Sequence, residues 1–419
     1  MADGTPQQGG TSDDEMAILV ADIGDALTRS SYPVPETSMV LDQICRAYGA
    51  DITSEVFASY IISLNRSTGK VAVSNTRGSF RFDQIAATEH LVHQLKEAAL
   101  PIDEARARLH AISTSRPPVN PIIRILGYAL MALGFSLCFR MSFNATLIAV
   151  IVSVPIAAIS LWSSIKGTLA ALMPVLLTFL SALVITLWAI HVTDADPVRL
   201  AVIPVLTLIP GAALTTALIE LTTGDMIAGS TRLISALVVL LSMAFGLALA
   251  IDIVGVTQQE LRDLTITQAP SWVLWVAAPI FAVGAILYFC TPRAAWAATV
   301  LVGFGTFWLT QLLQQAINPA FAGGLALGAA LLVCWALNAH VRNNPGVLVV
   351  FLPTFWLMVP GSMGFVALSG DITQDRELGG LGGNAALSLL SMAICMMIAS
   401  VLAPAVTRSL YRKKPADAR

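Results

Sequence analysis

Charged residues are scarce in this sequence, and two long stretches have almost none. Only 12% of the 419 residues are charged, whereas soluble globular proteins average about 25%. Lys166 is the one charged residue in 143–193, and Arg293 is the one charged residue in 264–341. Stretches of this length and composition exclude a soluble core and indicate an α-helical polytopic membrane protein.

Cysteine is also rare, and its five copies are isolated from one another. Without a CxxC pair or a cysteine–histidine cluster, we expect no metal site, no cofactor and no disulfide framework. The front of the chain has no nucleophile, base and oxyanion-stabilising set, so we expect no enzyme activity. The formal net charge of −2 is not informative about nucleic acid, and we expect no nucleic-acid partner.

The first 116 residues are more polar than the rest of the chain. Residues 1–12 lack the basic and apolar segments of a signal peptide, and we expect them to form a disordered tail. In 13–116, helical spacing of apolar residues predicts four helices, the second ending at Gly49. "VFASYIISL" and "KVAVSN" predict two strands around the turn "NRSTG". These patterns predict a small cytoplasmic α+β domain.

Ten apolar segments follow, each close to the 20 or so residues that a helix needs to span a membrane. The predicted spans are 121–139, 143–162, 168–191, 198–219, 231–254, 271–290, 294–316, 318–339, 346–368 and 385–407. The first five fall in 117–255 and the last five in 256–410. A basic tail over 411–419 ends the chain.

Lysine and arginine are unevenly distributed between the two sides of these spans, and the richer side usually faces the cytoplasm. The richer side has Arg106, Arg108, Arg116, Arg124, Lys166, Arg232, Arg293, Arg342, Arg408, Arg412, Lys413 and Lys414. The other side has Arg140, Arg199, Arg262 and Arg376. This asymmetry predicts that both termini and the front domain are cytoplasmic.

Two short sequences recur at nearly equal offsets in the two sets of spans. Pro210-Gly211 in the fourth span and Pro360-Gly361 in the ninth are 150 residues apart. "LLSMA" begins at Leu240 in the fifth span and again at Leu389 in the tenth, 149 residues apart. Because each half has an odd number of spans, the second half must enter the membrane from the opposite side. The pattern predicts a 5+5 inverted repeat, an architecture of many secondary transporters.

The repeated proline–glycine pairs predict a substrate site. Proline lacks the backbone donor and glycine lacks Cβ, so each pair favours a helix break near the bilayer midplane. Broken backbone is tolerated there when it is buried in protein or lines a cavity. A half-helix starting at Gly211 would direct amide groups and the positive end of its dipole towards a substrate carboxylate. The alternative interpretation is a kink that serves packing alone.

The segment Leu208–Ala250, "LIPGAALTTALIELTTGDMIAGSTRLISALVVLLSMAFGLALA", resembles the signature region of the bacterial threonine/serine exporter family. The front domain with "IDEARARLHAI" and the second set of spans extend the resemblance over residues 16–410. The matching residues are Pro210, Gly211, Thr215, Glu220, Gly224, Asp225, Gly229 and Arg232. Thr216, Ile219 and Glu220 stand where family members often have Asn, Arg and Asp. The resemblance implies proton-coupled export of threonine and serine across the bacterial inner membrane.

Helix geometry separates two roles within this segment. Thr215, Thr216 and, in the ninth span, Ser362 lie within about one turn of a break and are candidates to contact the substrate. The alternative for Thr215 is a hydroxyl that bonds to its own helix.

Glu220 lies nine residues after Gly211, about 13–14 Å along a helix, which is too far to contact a substrate at the break. With Asp225 and Arg232 it is a candidate for a cytoplasmic gate or proton site, an ordinary surface ion pair being the alternative. Asp252 is a second candidate for a proton relay, or an interfacial charge.

The broken fourth and ninth spans, together with what the resemblance implies, give the expected function: secondary export of threonine and serine by alternating access, driven by the proton gradient. Two alternatives remain open. One is export of small carboxylates such as succinate, because related two-part family members are linked to dicarboxylate export. The other is a membrane sensor with a cytoplasmic signalling domain.

Gly324 and Gly328 form a GxxxG pattern that predicts close helix packing, within the chain or in a homo-oligomer.

Overall fold

The computed structural model describes residues 9–76, 78–162, 168–192, 197–255, 268–340, 346–358 and 381–411. The chain divides into two compact units. The front unit comprises the chain up to Pro117 together with Ile219–Arg232, and the membrane unit comprises Pro118–Leu218 and the chain from Leu233 onwards.

Among the described residues of its first 117, the front unit contains four helices and a three-stranded sheet. These elements are α1 (Gly9–Arg29), α2 (Val34–Tyr48), β1 (Ile52–Val56), β2 (Tyr60–Asn65), β3 (Val71–Asn75), α3 (Phe82–Lys96) and α4 (Ile102–Thr114). Both strand pairings are antiparallel, in the order β1-β2-β3. Helix α1 begins at Gly9, four residues before the predicted start of the domain.

The two predicted strands around the turn "NRSTG" are present as β2 and β3, but the sheet has a third strand, β1, that was not predicted. The segment "VFASYIISL" is not one strand: β1 ends at Val56, and the Phe57 amide donates to the Tyr60 carbonyl at 3.0 Å across a turn. The missed strand has the sequence ITSEV, which is too polar to give a clear alternating signal.

Helix α1 and the sheet form the core of this domain. Leu19, Ile23 and Leu27 of α1 are fully buried, and so is Ile61 of β2. Gly24 allows this close approach, since a Cβ there would lie 3.0 Å from the Ile61 Cγ1 atom. The predicted end of the second helix at Gly49 is confirmed, with Gly49 in the left-handed conformation (φ 64°).

The described residues after 117 form a series of apolar helices. They are α5 (Pro121–Cys138), α6 (Phe143–Ser160), α7 (Thr168–Val192), α8 (Pro197–Val202), a 3₁₀ segment (Ile203–Leu208), α9 (Gly211–Thr223), α10 (Met226–Val254), α11 (Leu274–Tyr288), α12 (Trp296–Leu313), α13 (Pro319–His340), α14 (Val347–Met358) and α15 (Leu381–Tyr411). Each predicted span overlaps one of these elements or a consecutive set of them.

Length and composition identify fewer spans than the ten predicted. In the described part of the chain, seven helices are long and apolar enough to cross a membrane, and the bent pair Arg199–Leu208 and Gly211–Thr223 raises the number to eight. Val347–Met358 and Leu387–Ala403 are shorter apolar helices. The chain is therefore a multi-pass membrane protein. The end of the predicted ninth span lies outside the described residues.

Helices α5 and α11 pack closely and in a reciprocal manner. A Cβ on Gly134 would lie 2.5 Å from the Phe281 amide nitrogen, and a Cβ on Gly284 would lie 2.5 Å from the Met131 amide nitrogen. Both glycines and both of their partners are 150 residues apart. Gly127 approaches the Gly284 carbonyl, so the two helices run antiparallel. A contact that repeats itself under exchange of its two sides is typical of two-fold symmetry.

A second helix pair repeats at a similar register. Gly246 of α10 approaches the Val175 carbonyl of α7, where a Cβ would lie at 2.7 Å. In the second half, Gly324 of α13 approaches the backbone of Ser391 in α15 at 2.7 Å, and Gly328 approaches the Cys395 carbonyl at 3.0 Å. The GxxxG pattern thus mediates packing within one chain.

Gly134→Ala should lower the free energy of unfolding by about 1–3 kcal/mol or more, because the new methyl group meets Phe281 backbone that cannot rotate away. Gly305→Ala in α12 is the matched control, since a Cβ there meets nothing within 4 Å. That variant should be neutral or up to about 1 kcal/mol more stable. Thermal unfolding in detergent measures both, and equal melting temperatures for the two variants would contradict the close packing of α5.

Candidate functional site: the broken fourth span and a buried ion pair

The fourth span is broken at the proline–glycine pair. Arg199–Leu208 and Gly211–Thr223 meet at an angle of 66°. The last six residues before the break, Ile203–Leu208, form a 3₁₀ segment instead of an α-helix. Short 3₁₀ stretches within a helix often mark a hinge or a functional site.

Local steric effects explain where the break falls. Pro204 enters the 3₁₀ segment at one of its first positions, where a missing amide donor costs least. The residue before a proline is driven out of the helical conformation, and Ile209, which precedes Pro210, is extended (φ −67°, ψ 123°). The direction of the chain therefore changes at Ile209, and a new helix starts at Gly211.

Side chains from two other helices bond the backbone of the segment before the break. The Tyr128 hydroxyl of α5 donates to the Pro204 carbonyl at 2.6 Å, and the Ser181 hydroxyl of α7 donates to the Ala201 carbonyl at 3.0 Å. The Thr207 hydroxyl in turn donates to the Tyr128 oxygen at 3.1 Å. These hydrogen bonds satisfy backbone carbonyls that water cannot reach inside a membrane.

Tyr128 was not among the predicted site residues. It is only 2% exposed, and its ring packs edge-on against Tyr288 with centroids 5.0 Å apart. The signal in the sequence was a tyrosine in the middle of an apolar span, where its hydroxyl requires a polar partner. Only the packing of α5 against the 3₁₀ segment identifies that partner.

Most of the polar groups predicted to contact a substrate after the break form hydrogen bonds within their own segment. The Thr215 hydroxyl, 1% exposed, donates to the Gly211 carbonyl at 3.1 Å, which is the alternative considered for this residue. Thr216 is half-buried. The Gly211 amide donates to Ile209 at 2.9 Å, and the Leu214 amide donates to Pro210 at 3.0 Å.

The matching break in the ninth span cannot be compared directly, because Pro360, Gly361 and Ser362 lie outside the described residues. The helix that precedes them is described. It spans Val347–Met358, and its ends are each 150 residues after the ends of 197–208, which combines α8 and the 3₁₀ segment.

Glu220 and Arg232 form a buried bidentate ion pair. The Arg232 Nε donates to Glu220 Oε2 and its Nη2 donates to Oε1, both at 3.0 Å. The Glu220 side chain is 0% exposed and that of Arg232 is 18% exposed. The guanidinium fork matches the two carboxylate oxygens, which makes the pair strong and directional. This geometry excludes the alternative of an ordinary surface ion pair.

Helix α2 supplies a third donor to Glu220. The Val34 amide, the first of α2, donates to Glu220 Oε1 at 3.2 Å. Pro33, at the N-cap position, provides no side-chain cap. The Glu220 carboxylate therefore places a negative charge at the N-terminus of α2, where the helix dipole favours it. Through this carboxylate the front unit holds together two segments that are 186 residues apart in sequence.

A glycine turn between α9 and α10 brings the two charged residues together. Gly224 has a φ of 96° and donates to the Leu221 carbonyl, while the Asp225 amide donates to the Glu220 carbonyl at 2.9 Å. These two bonds define a Schellman motif, in which the residue with positive φ is usually glycine. Asp225 is half-buried and directly precedes α10.

Asp252 is not part of this arrangement. It is exposed near the other end of α10, 20 residues after Arg232 and therefore about 30 Å away along the helix. In the described part of the chain, no group of three His, Cys, Asp or Glu residues is arranged to hold a metal ion.

Many membrane transporters build a substrate site at a helix that is broken inside an apolar bundle, and this chain has a bent helix pair of that kind. The chain belongs to the ThrE family, described as "Putative threonine/serine exporter", which matches residues 18–254. The predicted membership is thereby confirmed.

The match covers more than half of the chain and includes the front domain, the break and the ion pair. It ends at Val254, the last residue of α10, so the resemblance of residues 255–410 lies outside it. No curated protein and no solved structure matches the chain.

Proposed function

We propose that this protein is a secondary active exporter of threonine and serine, driven by the proton gradient and working by alternating access around the broken fourth and ninth spans. The observation that carries the proposal is the 66° break at Pro210-Gly211 in a chain of the ThrE family. Breaks of this kind present backbone groups to a substrate near the bilayer midplane.

The start of α9 is the proposed site for the substrate carboxylate. Two of its first four amides, those of Gly211 and Leu214, are bonded to nearby carbonyls. The other two belong to Ala212 and Ala213, at the positive end of the helix dipole. Alanine side chains are small enough for a carboxylate to reach these amides. Thr216, with Pro360, Gly361 and Ser362 of the ninth span, would complete the site.

The proposed transport cycle requires a 5+5 inverted repeat of ten spans. The antiparallel contact of α5 and α11 supports it, because Gly134 and Gly284 exchange roles at an offset of 150 residues. The helical segments 197–208 and Val347–Met358 support it as well, because their first and last residues are each 150 positions apart. Two halves of opposite orientation can alternate between inward-open and outward-open packing around a central site.

The structure of the front unit supports the proposed topology. The turn between α9 and α10 belongs to this unit, together with residues that precede the first span. An even number of crossings must therefore separate Pro117 from Ile219. The helices α5, α6 and α7 and the bent pair give four, provided that the bent pair crosses the membrane as one span. The lysine and arginine distribution supports a cytoplasmic location for this side and for both termini.

Glu220 and Arg232 are the proposed cytoplasmic gate and proton-coupling residues, with Asp225 beside them. The carboxylate of Glu220 is needed in its charged form to hold both Arg232 and the amide of Val34. A proton on Glu220 would weaken all three bonds together and release the end of α9. Asp252, exposed at the far end of α10, remains a candidate for a separate proton relay.

Transport by the purified protein in liposomes with an imposed pH gradient tests this function. We expect uptake of radiolabelled threonine that depends on the gradient and that serine inhibits. Inhibition by succinate without inhibition by serine would replace the substrate with a small carboxylate. Saturable threonine binding without flux under any gradient would contradict transport and favour a sensor.

A further inference from the structure

A cavity of 510 Å³ lies within the front unit, between α1 and α4. It is lined by Asp22, Asp25, Arg106, Ala107, Leu109, His110 and Ser113. None of these residues belongs to the break or to the ion pair of Glu220. Four of them lie in the segment "IDEARARLHAI" that carried part of the family resemblance, and the proposed transport mechanism gives that segment no role.

The two helices present opposite charges to the cavity. Asp22 and Asp25 are three residues apart on α1 and therefore share one face. Arg106, His110 and Ser113 are spaced by four and three residues on α4 and share a face as well. The cavity thus has a carboxylate side on α1 and, on α4, a side that carries a guanidinium, an imidazole and a hydroxyl.

The carboxylate side is poorly compensated by the protein itself. The Asp25 side chain is 16% exposed, and its only ion pair among the described residues is with Arg29 at 3.7 Å, near the limit for such a contact. Its Oδ1 atom is buried and makes no hydrogen bond to that part of the chain. Burial raises the pKa of both Asp22 and Asp25, although Ser74 and Arg106 act in the opposite direction at Asp22, and Thr76 and Arg29 do so at Asp25. A cation in the cavity would offset this unfavourable burial.

We propose that this cavity is a second, front-domain site for a free zwitterionic amino acid. The ammonium group would lie at Asp22 and Asp25, and the carboxylate at Arg106. A ligand with charges of both signs at its two ends matches the two sides of the cavity, whereas a simple cation or anion would leave one side unmatched. The volume falls in the range of about 300–1,000 Å³ typical of small-molecule sites and leaves room for bridging water.

The choice of threonine and serine as the first probes rests on the proposed function, but the charge pattern of the cavity does not. Occupation of this site by the transported amino acid would let the front domain respond to the cytoplasmic substrate concentration. The site shares no residue with the proposed translocation path, because all of its residues belong to α1 and α4.

Equilibrium binding of radiolabelled threonine to the full-length protein in detergent tests the inference. Gly211→Leu, designed to block the translocation path, serves as the background in which the front-domain site is measured alone. In that background Arg106→Gln should weaken threonine binding at least tenfold. The matched control is Arg108→Gln, since Arg108 is exposed on the same helix, pairs with Glu104 and does not line the cavity. It should leave binding unchanged.

A threonine ester, which keeps the ammonium group and lacks the carboxylate, identifies the contact. It should bind the Gly211→Leu protein more weakly than threonine does, and Arg106→Gln should not weaken it further. Equal threonine affinity with and without Arg106 would overturn the inference, as would binding that is present in the wild type and absent from Gly211→Leu, or absent from both. Arg106-dependent binding in a protein without transport would overturn the proposed function and leave this site standing.

Discussion

Glu220→Ala should lower the free energy of unfolding by about 3 kcal/mol and abolish threonine transport. The change leaves the Arg232 guanidinium partly buried without its carboxylate and removes the acceptor of the Val34 amide. Removing one partner of a buried ion pair typically costs about 3–5 kcal/mol, and the lower end applies because Arg232 is 18% exposed. Thermal unfolding in detergent and flux in liposomes measure the two effects.

The double variant Glu220→Met/Arg232→Met separates stability from transport. Apolar side chains of similar volume often replace a buried ion pair without loss of stability, so this variant should regain most of the free energy of unfolding. Transport should stay absent, because a methionine cannot take up or release a proton. Recovery of proton-driven transport in the double variant would show that the pair is structural only and would remove Glu220 from the proposed coupling mechanism.

Gly211→Leu should reduce threonine flux to the background of empty liposomes while the protein still inserts. Gly211 is buried at the first position of α9, directly after the break, so a leucine side chain must occupy the space next to the proposed carboxylate site. The change alters no charge and leaves Glu220 and Arg232 in place. Flux is measured in liposomes with an imposed pH gradient, and insertion is measured by protein yield and folding in detergent.

Ser235→Leu is the matched control for this prediction. It introduces the same side chain at an exposed position of α10. This variant should transport threonine at the wild-type rate. Wild-type flux from Gly211→Leu would contradict the substrate site, and a loss of flux in both variants would point to a general effect of the added apolar side chain.

Features that depend on a few neighbouring residues could be predicted from the sequence. The break is one of them, because the steric effect of Pro210 acts on Ile209 directly and fixes its extended conformation. The membrane class is another, because it follows from the scarcity of charge in apolar stretches. Gly49 at the end of α2 is a third, because a left-handed residue favours glycine wherever it occurs.

Features that depend on packing between distant segments could not be predicted. The sequence suggested Glu220 and Arg232 as a pair but left their burial open, and it gave no indication of Val34, 186 residues earlier. Nor did it indicate that Tyr128 bonds the Pro204 carbonyl, since side-chain partners across helices follow from their packing. Local sterics and composition determined where the chain is apolar and where it breaks. Only the tertiary structure decided which side chains meet there, because those contacts depend on how whole helices pack.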